Sequence, residues 1–363
     1  MDVRAAVATG VGKPFEIRTV QLRAPGNGEV LVKMAATGLC HTDLSILEGG
    51  YPSPFPVILG HEGSGVVVSC GPDVTGLAKG DHVVLSSVPE CGHCRGCRRL
   101  DTNYCAELYP ELMSGETPFS LDGAPLPRFA SLGTFAEYCV VRATHVAKVR
   151  ADADLRTLCV VGCAVATGVG SAMRTGRIAE GSTVIVIGAG GVGLNVIQGA
   201  RLAGAARIIC VDIKAEKEAA ARAFGATEFV VAGADGDQLA AHLIELTGGG
   251  GDHVFECAGL IALQQLALTI THPGWGVCTM VGLPPLDQAF STAPSALIAG
   301  KTIRGSTLGD IKVRTQLPDL VDWYVEGKLK LDELISHRMP LEQINEGYDL
   351  VRRGTALRAI VEF

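Results

Sequence analysis

A chain of 363 residues exceeds the roughly 250–300 residues at which one hydrophobic core stops growing, so two domains are expected. With 47% hydrophobic and 19% charged residues and no low-complexity tract, the composition is that of an ordered globular protein and excludes a disordered one. A formal net charge of -7, with Lys and Arg scattered along the chain, leaves no basic footprint and excludes nucleic acid as a partner.

Met1 to Val20 alternates short apolar runs with Arg4, Lys13, Glu16 and Arg18, and has neither the apolar core nor the cleavage site of a signal peptide. The apolar stretch Val184 to Ile197 is interrupted by glycines and falls short of the roughly 18 residues of a membrane span. A soluble, cytoplasmic protein with no membrane partner is expected. In a reducing compartment its 12 cysteines are tested against metal sites before disulfides.

Up to about residue 163, short β-branched runs broken by Gly and Pro predict strands of an irregular, mostly β domain. Glu29 to Lys33, Gly65 to Ser69 and His82 to Leu85 are examples. From Ser182 the rhythm changes. The strand Thr183 to Ile187 leads to a helix over Gly191 to Ala203, then the strand Arg207 to Val211 and the helix Ala215 to Phe224. Alternation continues through Glu228 to Val231, Ala240 to Leu246, His253 to Cys257, Leu260 to Thr271 and Gly276 to Val281. This pattern predicts βαβ units on a parallel sheet buried on both faces, a Rossmann-type domain over 164–307. After Arg304 come a loop, a helix over Leu317 to Glu326, a segment around Ile335 and a strand Arg358 to Glu362. This tail is too short to bury its own apolar face, so 308–363 is expected to rejoin 1–163.

Four cysteines fall in one window as Cys91, Cys94, Cys97 and Cys105. Their C-x2-C-x2-C-x7-C spacing suits a tetrahedral structural zinc, with each sulfur about 2.3 Å from the ion. An iron–sulfur cluster is the rival, with a different spacing in ferredoxins. Four thiolates complete the shell, so His93 between them is expected to be a bystander.

A second set is spread along the chain: Cys40 in GLCHTD, His61 in GHE and Cys163 in VGCAVATG. Any one of these alone is more often structural. Together, two thiolates and an imidazole make the three protein ligands of a catalytic zinc, leaving the fourth position open. Asp43 and Glu62 sit beside them and could orient an imidazole or approach the metal.

The third motif is Gly188-Ala189-Gly190-Gly191-Val192-Gly193, between a strand and a helix. Its glycines permit a tight turn, close approach to a pyrophosphate and close helix packing. Asp212 ends the next strand, where an acid binds the adenosine ribose of NAD and repels the 2'-phosphate of NADP.

These motifs together resemble the zinc-containing alcohol dehydrogenases of the medium-chain dehydrogenase/reductase superfamily, over nearly the whole chain. The stretch AGAARIICVDIKAEK, the segment VGLPP at 281–285 and the ending INEGYDLVRRGTALRAIVEF extend the similarity. The resemblance implies an α/β fold with a Rossmann coenzyme domain and a mostly β GroES-like catalytic domain. It implies NAD and two zinc ions per subunit, one catalytic and one structural. By position, Cys40, His61 and Cys163 resemble the catalytic ligands, Thr42 the hydroxyl that takes the substrate proton, Asp43 the acid behind the histidine and Glu62 the glutamate behind the zinc. Ser45 stands where many relatives continue the proton relay with a histidine. His41 and Arg358 align with pyrophosphate contacts, Thr167 and Val281 with the nicotinamide pocket, and Lys217 with the lysine that joins Asp212 at the ribose.

Ser87 replaces an aromatic ring that narrows the pocket in small-alcohol relatives, so a bulky or aromatic primary alcohol is expected, unless Tyr51, Tyr109 or Leu308 refills the space. Tyr51 and Tyr109 also occupy positions where glutathione-dependent formaldehyde dehydrogenases offer charges, which counts against that branch. Mycothiol-linked and permanently NAD-bound variants stay open as alternatives. A non-catalytic relative would have lost zinc ligands, and all seven are present. The long segment between Cys105 and Gly133 resembles dimeric relatives and implies a homodimer.

Overall fold

In the computed structural model, which describes residues 1–111 and 116–363, the strand Glu29–Gly38 is buried along nearly its whole length. It pairs with Gly63–Cys70 on one side and with Tyr138–Arg142 and Ala359–Glu362 on the other. Because side chains on both of its faces are buried, with only Lys33 exposed, it loses the period-two alternation that marks a half-exposed strand. The sequence predicts it only to Lys33. Its second half, Met34 to Gly38, carries two alanines and a glycine of little β preference and is held extended by pairings such as Val361↔Thr37.

The chain divides into two units, Met1–Cys163 with Lys312–Phe363, and Ala164–Ile311. The first holds a seven-stranded sheet around Glu29–Gly38 and a five-stranded sheet built on Asp2–Ala8 and Glu16–Leu22. Its core runs from Val3 and Phe15 through Leu59 and Phe135 to Tyr348 and Val361. The last strand, Ala359–Glu362, pairs in parallel with His337–Pro340. The helix Ile344–Arg353, which the sequence does not predict, turns Ile344, Gly347 and Tyr348 inward at spacings of three and four and ends on Gly354 at φ 62°.

The second unit is a six-stranded parallel sheet in the order Glu228–Val231, Arg207–Asp212, Thr183–Ile187, His253–Glu256, Val277–Met280, Thr302–Gly305. Strand order reverses between Thr183–Ile187 and His253–Glu256, the switch point at which open α/β sheets bind ligands. The helix predicted over Ala240 to Leu246 is longer, Gly236–Thr247. Asp235 caps it by accepting from the N–H groups of Asp237 and Gln238. The predicted helix Ala215 to Phe224 begins as a 3-10 turn, Ala215–Lys217, before the α-helix Glu218–Phe224. The sequence places the return to the first domain at 308, whereas the units change over at 312. The turn Leu308–Asp310 stays with the parallel-sheet unit because Thr175 donates to Asp310 at 2.7 Å and Gly309 lies against the backbone of Ala166 and Gly170. Among the described residues no single helix is long and apolar enough to cross a membrane.

Candidate active site

In the first unit, Cys40 leads into the helix His41–Leu47, His61 precedes the strand Gly63–Cys70, and Cys163 ends a 3-10 turn, Cys159–Gly162. These three bring one sulfur or nitrogen each, with a Glu62 oxygen, to within 4.8 Å of one another. His61 Nδ1 lies 3.0 Å from the buried Asp43 Oδ2, which leaves Nε2 for a metal. Asp43 is itself held by the Gly60 N–H at 2.8 Å.

A hydrogen bond from Cys163 holds Cys40 well below the ordinary thiol range, and the same bond, with burial, holds Cys163 well above it. The pair keeps a proton that a divalent cation would displace. Burial pushes Glu62 up to about 7 against the opposing pull of Arg358. Neither carboxylate oxygen of Glu62 has a hydrogen-bond partner among the described residues, although Arg358 Nη1 approaches Oε1 to 3.3 Å. Two thiol sulfurs, one oriented imidazole and an under-satisfied buried carboxylate suit a borderline-soft dication. Thr42 Oγ1 is 3.7 Å from Cys40 Sγ. Ser45 turns its hydroxyl to the His41 carbonyl at 3.0 Å, and Arg358 donates to the Leu39 carbonyl, so its buried charge faces the metal site.

Cys91, Cys94, Cys97 and Cys105 also converge within 4.8 Å. The sulfurs of Cys91 and Cys97 are 3.8 Å apart and those of Cys94 and Cys105 4.0 Å. A tetrahedron with metal–sulfur bonds of about 2.3 Å has edges of about 3.8 Å, so the set fits zinc. His93 turns outward to Glu107 at 2.9 Å.

Two residues that the sequence reading misses anchor this lobe. Buried Lys312 donates to the carbonyls of Cys97 and Arg99. Glu90 accepts from Thr315 Oγ1 at 2.8 Å and from the N–H groups of Arg314 and Thr315. No motif contains either residue. A lysine between Ile311 and Val313 and an acid beside Cys91 were the only signals.

In the second unit Gly188 turns at φ 101°, and a Cβ on Gly193 would lie 1.8 Å from the Gly188 carbonyl. Gly190, by contrast, has open space around its Cα, and Gly191 and Val192 begin the helix Gly191–Leu202. Asp212 accepts from the Ala189 N–H at 2.7 Å and from Lys217 Nζ at 3.0 Å. Its carboxylate thereby ties the second strand to the glycine turn. At the end of the fourth parallel strand, Glu256, also missed, accepts from the N–H groups of Ala258 and Gly259 and fixes the loop there. Thr167 lies on the helix Ala164–Gly170, and Val281 follows Val277–Met280, its N–H held by the Glu256 carbonyl.

Of the residues proposed from sequence to shape the substrate pocket, Ser87 is half-buried just after His82–Leu85 and Tyr51 packs on the first unit's core. Tyr109 packs its ring tilted at 38° against Tyr104, with centroids 4.6 Å apart. Leu308 is buried in the second unit. Phe129, which no motif marks, sets its ring edge against His61, 5.5 Å between centroids at 82°.

The chain matches the alcohol dehydrogenase GroES-like domain over residues 26–151 and the zinc-binding dehydrogenase family over residues 191–326. It is 43% identical to the class-3 alcohol dehydrogenase of Cereibacter sphaeroides over 100% of both chains. The chain belongs to the zinc-containing alcohol dehydrogenases. It is an NAD-dependent zinc oxidoreductase with GroES-like and Rossmann-type domains. This alcohol dehydrogenase is also 41% identical to the S-(hydroxymethyl)glutathione dehydrogenase of Paracoccus denitrificans, over 99% of this chain and 100% of the relative. Among solved structures, the alcohol dehydrogenase zinc-binding domain protein from Burkholderia ambifaria matches with a TM-score of 0.93 at 37% identity. Benzyl alcohol dehydrogenase from Acinetobacter calcoaceticus matches at 0.90 and 32%. Each comparison covers 100% of this chain and 99% of the other.

Proposed function

We propose that this dehydrogenase oxidises the hydroxymethyl group of a thiol adduct, passing hydride to NAD. The observation that carries this reading is full-length similarity, at 43% and 41% identity, to relatives named class-3 alcohol dehydrogenase and S-(hydroxymethyl)glutathione dehydrogenase. A second reading, a bulky or aromatic primary alcohol, is the one the sequence favours through Ser87, and likeness to a benzyl alcohol dehydrogenase supports it. Tyr51 and Tyr109 bear on both, because uncharged rings give the carboxylates of glutathione no counter-ion. A less charged thiol or an aromatic ring suits them better. Kinetics with formaldehyde, with and without glutathione or mycothiol, and with benzyl alcohol alone decide between the readings. A thiol-dependent kcat/KM at least about tenfold above that for benzyl alcohol supports the first. The reverse order supports the second, and inactivity toward all of them defeats both.

When bound, zinc acidifies the alcohol oxygen and NAD accepts the hydride. Thr42 takes the hydroxyl proton. Ser45 lacks the basic nitrogen of a histidine, so the proton continues to solvent through water. Asp43 fixes the tautomer and orientation of His61, which with Cys40 and Cys163 would hold the catalytic metal, and the Glu62 carboxylate, paired with Arg358, would offer it a further oxygen. Within the second unit, Gly188 to Gly193 would cradle the pyrophosphate, Asp212 and Lys217 would bind the adenosine ribose, and Thr167 and Val281 would flank the nicotinamide. Tyr51, Ser87 and Tyr109, with Phe129, are the first unit's candidates to bound the substrate.

Two zinc ions per subunit are expected, the second on Cys91, Cys94, Cys97 and Cys105. A homodimer is supported by the uncovered edge strand Thr302–Gly305 and the exposed Leu286, Leu297 and Ile298 before it. A cytoplasmic location suits the 12 cysteines, none of which is disulfide-bonded.

A further inference from the structure

A cavity of about 120 Å³ lies in the first unit, lined by Arg23, Arg128, Arg142, Glu29, Ser131 and His145, with Leu108 and the exposed Glu116 beside them. Among the described residues, three guanidiniums from separate segments meet two carboxylates there, and Arg142 already carries a contact of its own. Glu29 is already committed, accepting from Arg23 at 2.5 and 2.9 Å and from the Gly26 N–H at 2.8 Å. Arg128 makes no ion pair among the described residues and reaches only the Val140 carbonyl. Burial pushes its pKa down to about 10, and the charges of Arg23 and Arg142 add to that push. Partly buried guanidinium of this kind is a donor fork in search of an acceptor, and its geometry matches the oxygens of phosphate, sulfate or carboxylate. A water needs about 10–15 Å³ of such space, so the cavity has room for an ion with several oxygens.

We infer that this cavity is a binding site for one small oxyanion of phosphate or sulfate size, held by Arg128 and Arg142. Arg128 and Ser131 bracket Phe129, the ring that rests on His61. The turn between them holds Ala130 and Ser131 at φ 53° and 59°, a conformation that side chains other than glycine adopt only when held. An anion on Arg128 braces that turn.

The test uses the zinc-loaded enzyme saturated with NAD, so that the coenzyme covers its own phosphate site. Sodium phosphate is titrated calorimetrically at constant ionic strength against a chloride background, and the thermal unfolding midpoint is followed in parallel. One phosphate per subunit is expected, with a rise of about 2 °C near saturation, and sulfate competing. Arg128→Gln and Arg142→Gln each weaken binding at least about tenfold, whereas the exposed Arg352→Gln leaves it unchanged. Arg142 lies on the exposed rim, so its variant decides the matter if Arg128→Gln fails to fold. No saturable binding, an equal effect of chloride, or wild-type affinity in both cavity variants overturns the assignment. The last outcome would place the phosphate on the zinc or elsewhere.

Discussion

Lys312 donates to the carbonyl of Cys97, a zinc-lobe cysteine 215 residues earlier in the chain. With its second acceptor, the Arg99 carbonyl, this buried ammonium pins the cysteine lobe to the segment where the chain re-enters its first unit. Lys312→Met keeps the stem and removes the donor. Hydrogen bonds to charged groups contribute about 1.5–3 kcal/mol each, so the lobe should loosen by at least that much. Chelator-driven release of one zinc per subunit should quicken at least about tenfold, with the second zinc unaffected. Unchanged release kinetics would show that the lobe does not depend on this contact.

The two metal sites should fail differently. Cys94→Ser breaks a closed four-sulfur shell and should lower the unfolding midpoint, because a structural zinc contributes folding free energy directly. Cys163→Ser opens a site built into an existing fold and should abolish turnover with little loss of helix and strand content by circular dichroism. Metal analysis should find two zinc ions per wild-type subunit and about one in each variant. Equal loss of folding in both would defeat this division of roles.

The coenzyme unit was legible because its strands are short, β-branched runs that alternate with helices, so Thr183–Ile187 and Glu228–Val231 coincide with their predicted bounds. Both cysteine sets were legible because metal chemistry confines its ligands to a few residue types. Lys312, Glu90 and Phe129 were not, since each acts through a contact with a distant segment and none belongs to a short motif. The same reason hides the arginine cavity, whose lining comes from residues 23 to 145. Met34 to Gly38 escaped for a different cause: pairing partners, not local preference, make it a strand.

His145 predicts a pH dependence away from the metals. Burial pushes its pKa down to about 4, while its Nδ1 faces the Ser86 carbonyl at 2.9 Å. Between about 6.5 and 4 the unfolded chain takes up a proton that the folded chain refuses. Stability is therefore fully present above about pH 6.5 and is lost as pH falls toward 4, by roughly 3 kcal/mol at most. His145→Gln should flatten that part of the difference in unfolding midpoint between pH 7 and 4.5. Equal slopes for variant and wild type would remove His145 from the acid response.

Asp212 should fix the coenzyme preference. Its carboxylate already binds the Ala189 N–H and Lys217, so a 2'-phosphate at the ribose would meet a fixed negative charge. The wild type should favour NAD over NADP by at least about a hundredfold in kcat/KM, and Asp212→Ser should narrow the gap mainly by losing activity with NAD. A wild type that prefers NADP refutes this.

Ser87 is the position where substrate size and the two proposed substrates can be tested together. It is half-buried, and a hydroxymethyl group there leaves room that an aromatic ring would take. Each methylene filling such a pocket contributes about 1–3 kcal/mol to transition-state binding, so Ser87→Phe should lower kcat/KM for benzyl alcohol by about tenfold to a hundredfold. Ethanol, too small to use the space, should gain or hold steady. A thiol adduct bears a narrow hydroxymethyl end with its bulk farther out, so its turnover should change less than that of benzyl alcohol, and Tyr51→Asp or Tyr109→Arg should instead alter its KM. Parallel losses for benzyl alcohol and the adduct would mean that both enter the same inner space. If Ser87→Phe leaves the ratio of benzyl alcohol to ethanol unchanged, Ser87 does not line the pocket, and the rings of Phe129, Tyr51 or Tyr109 set its width.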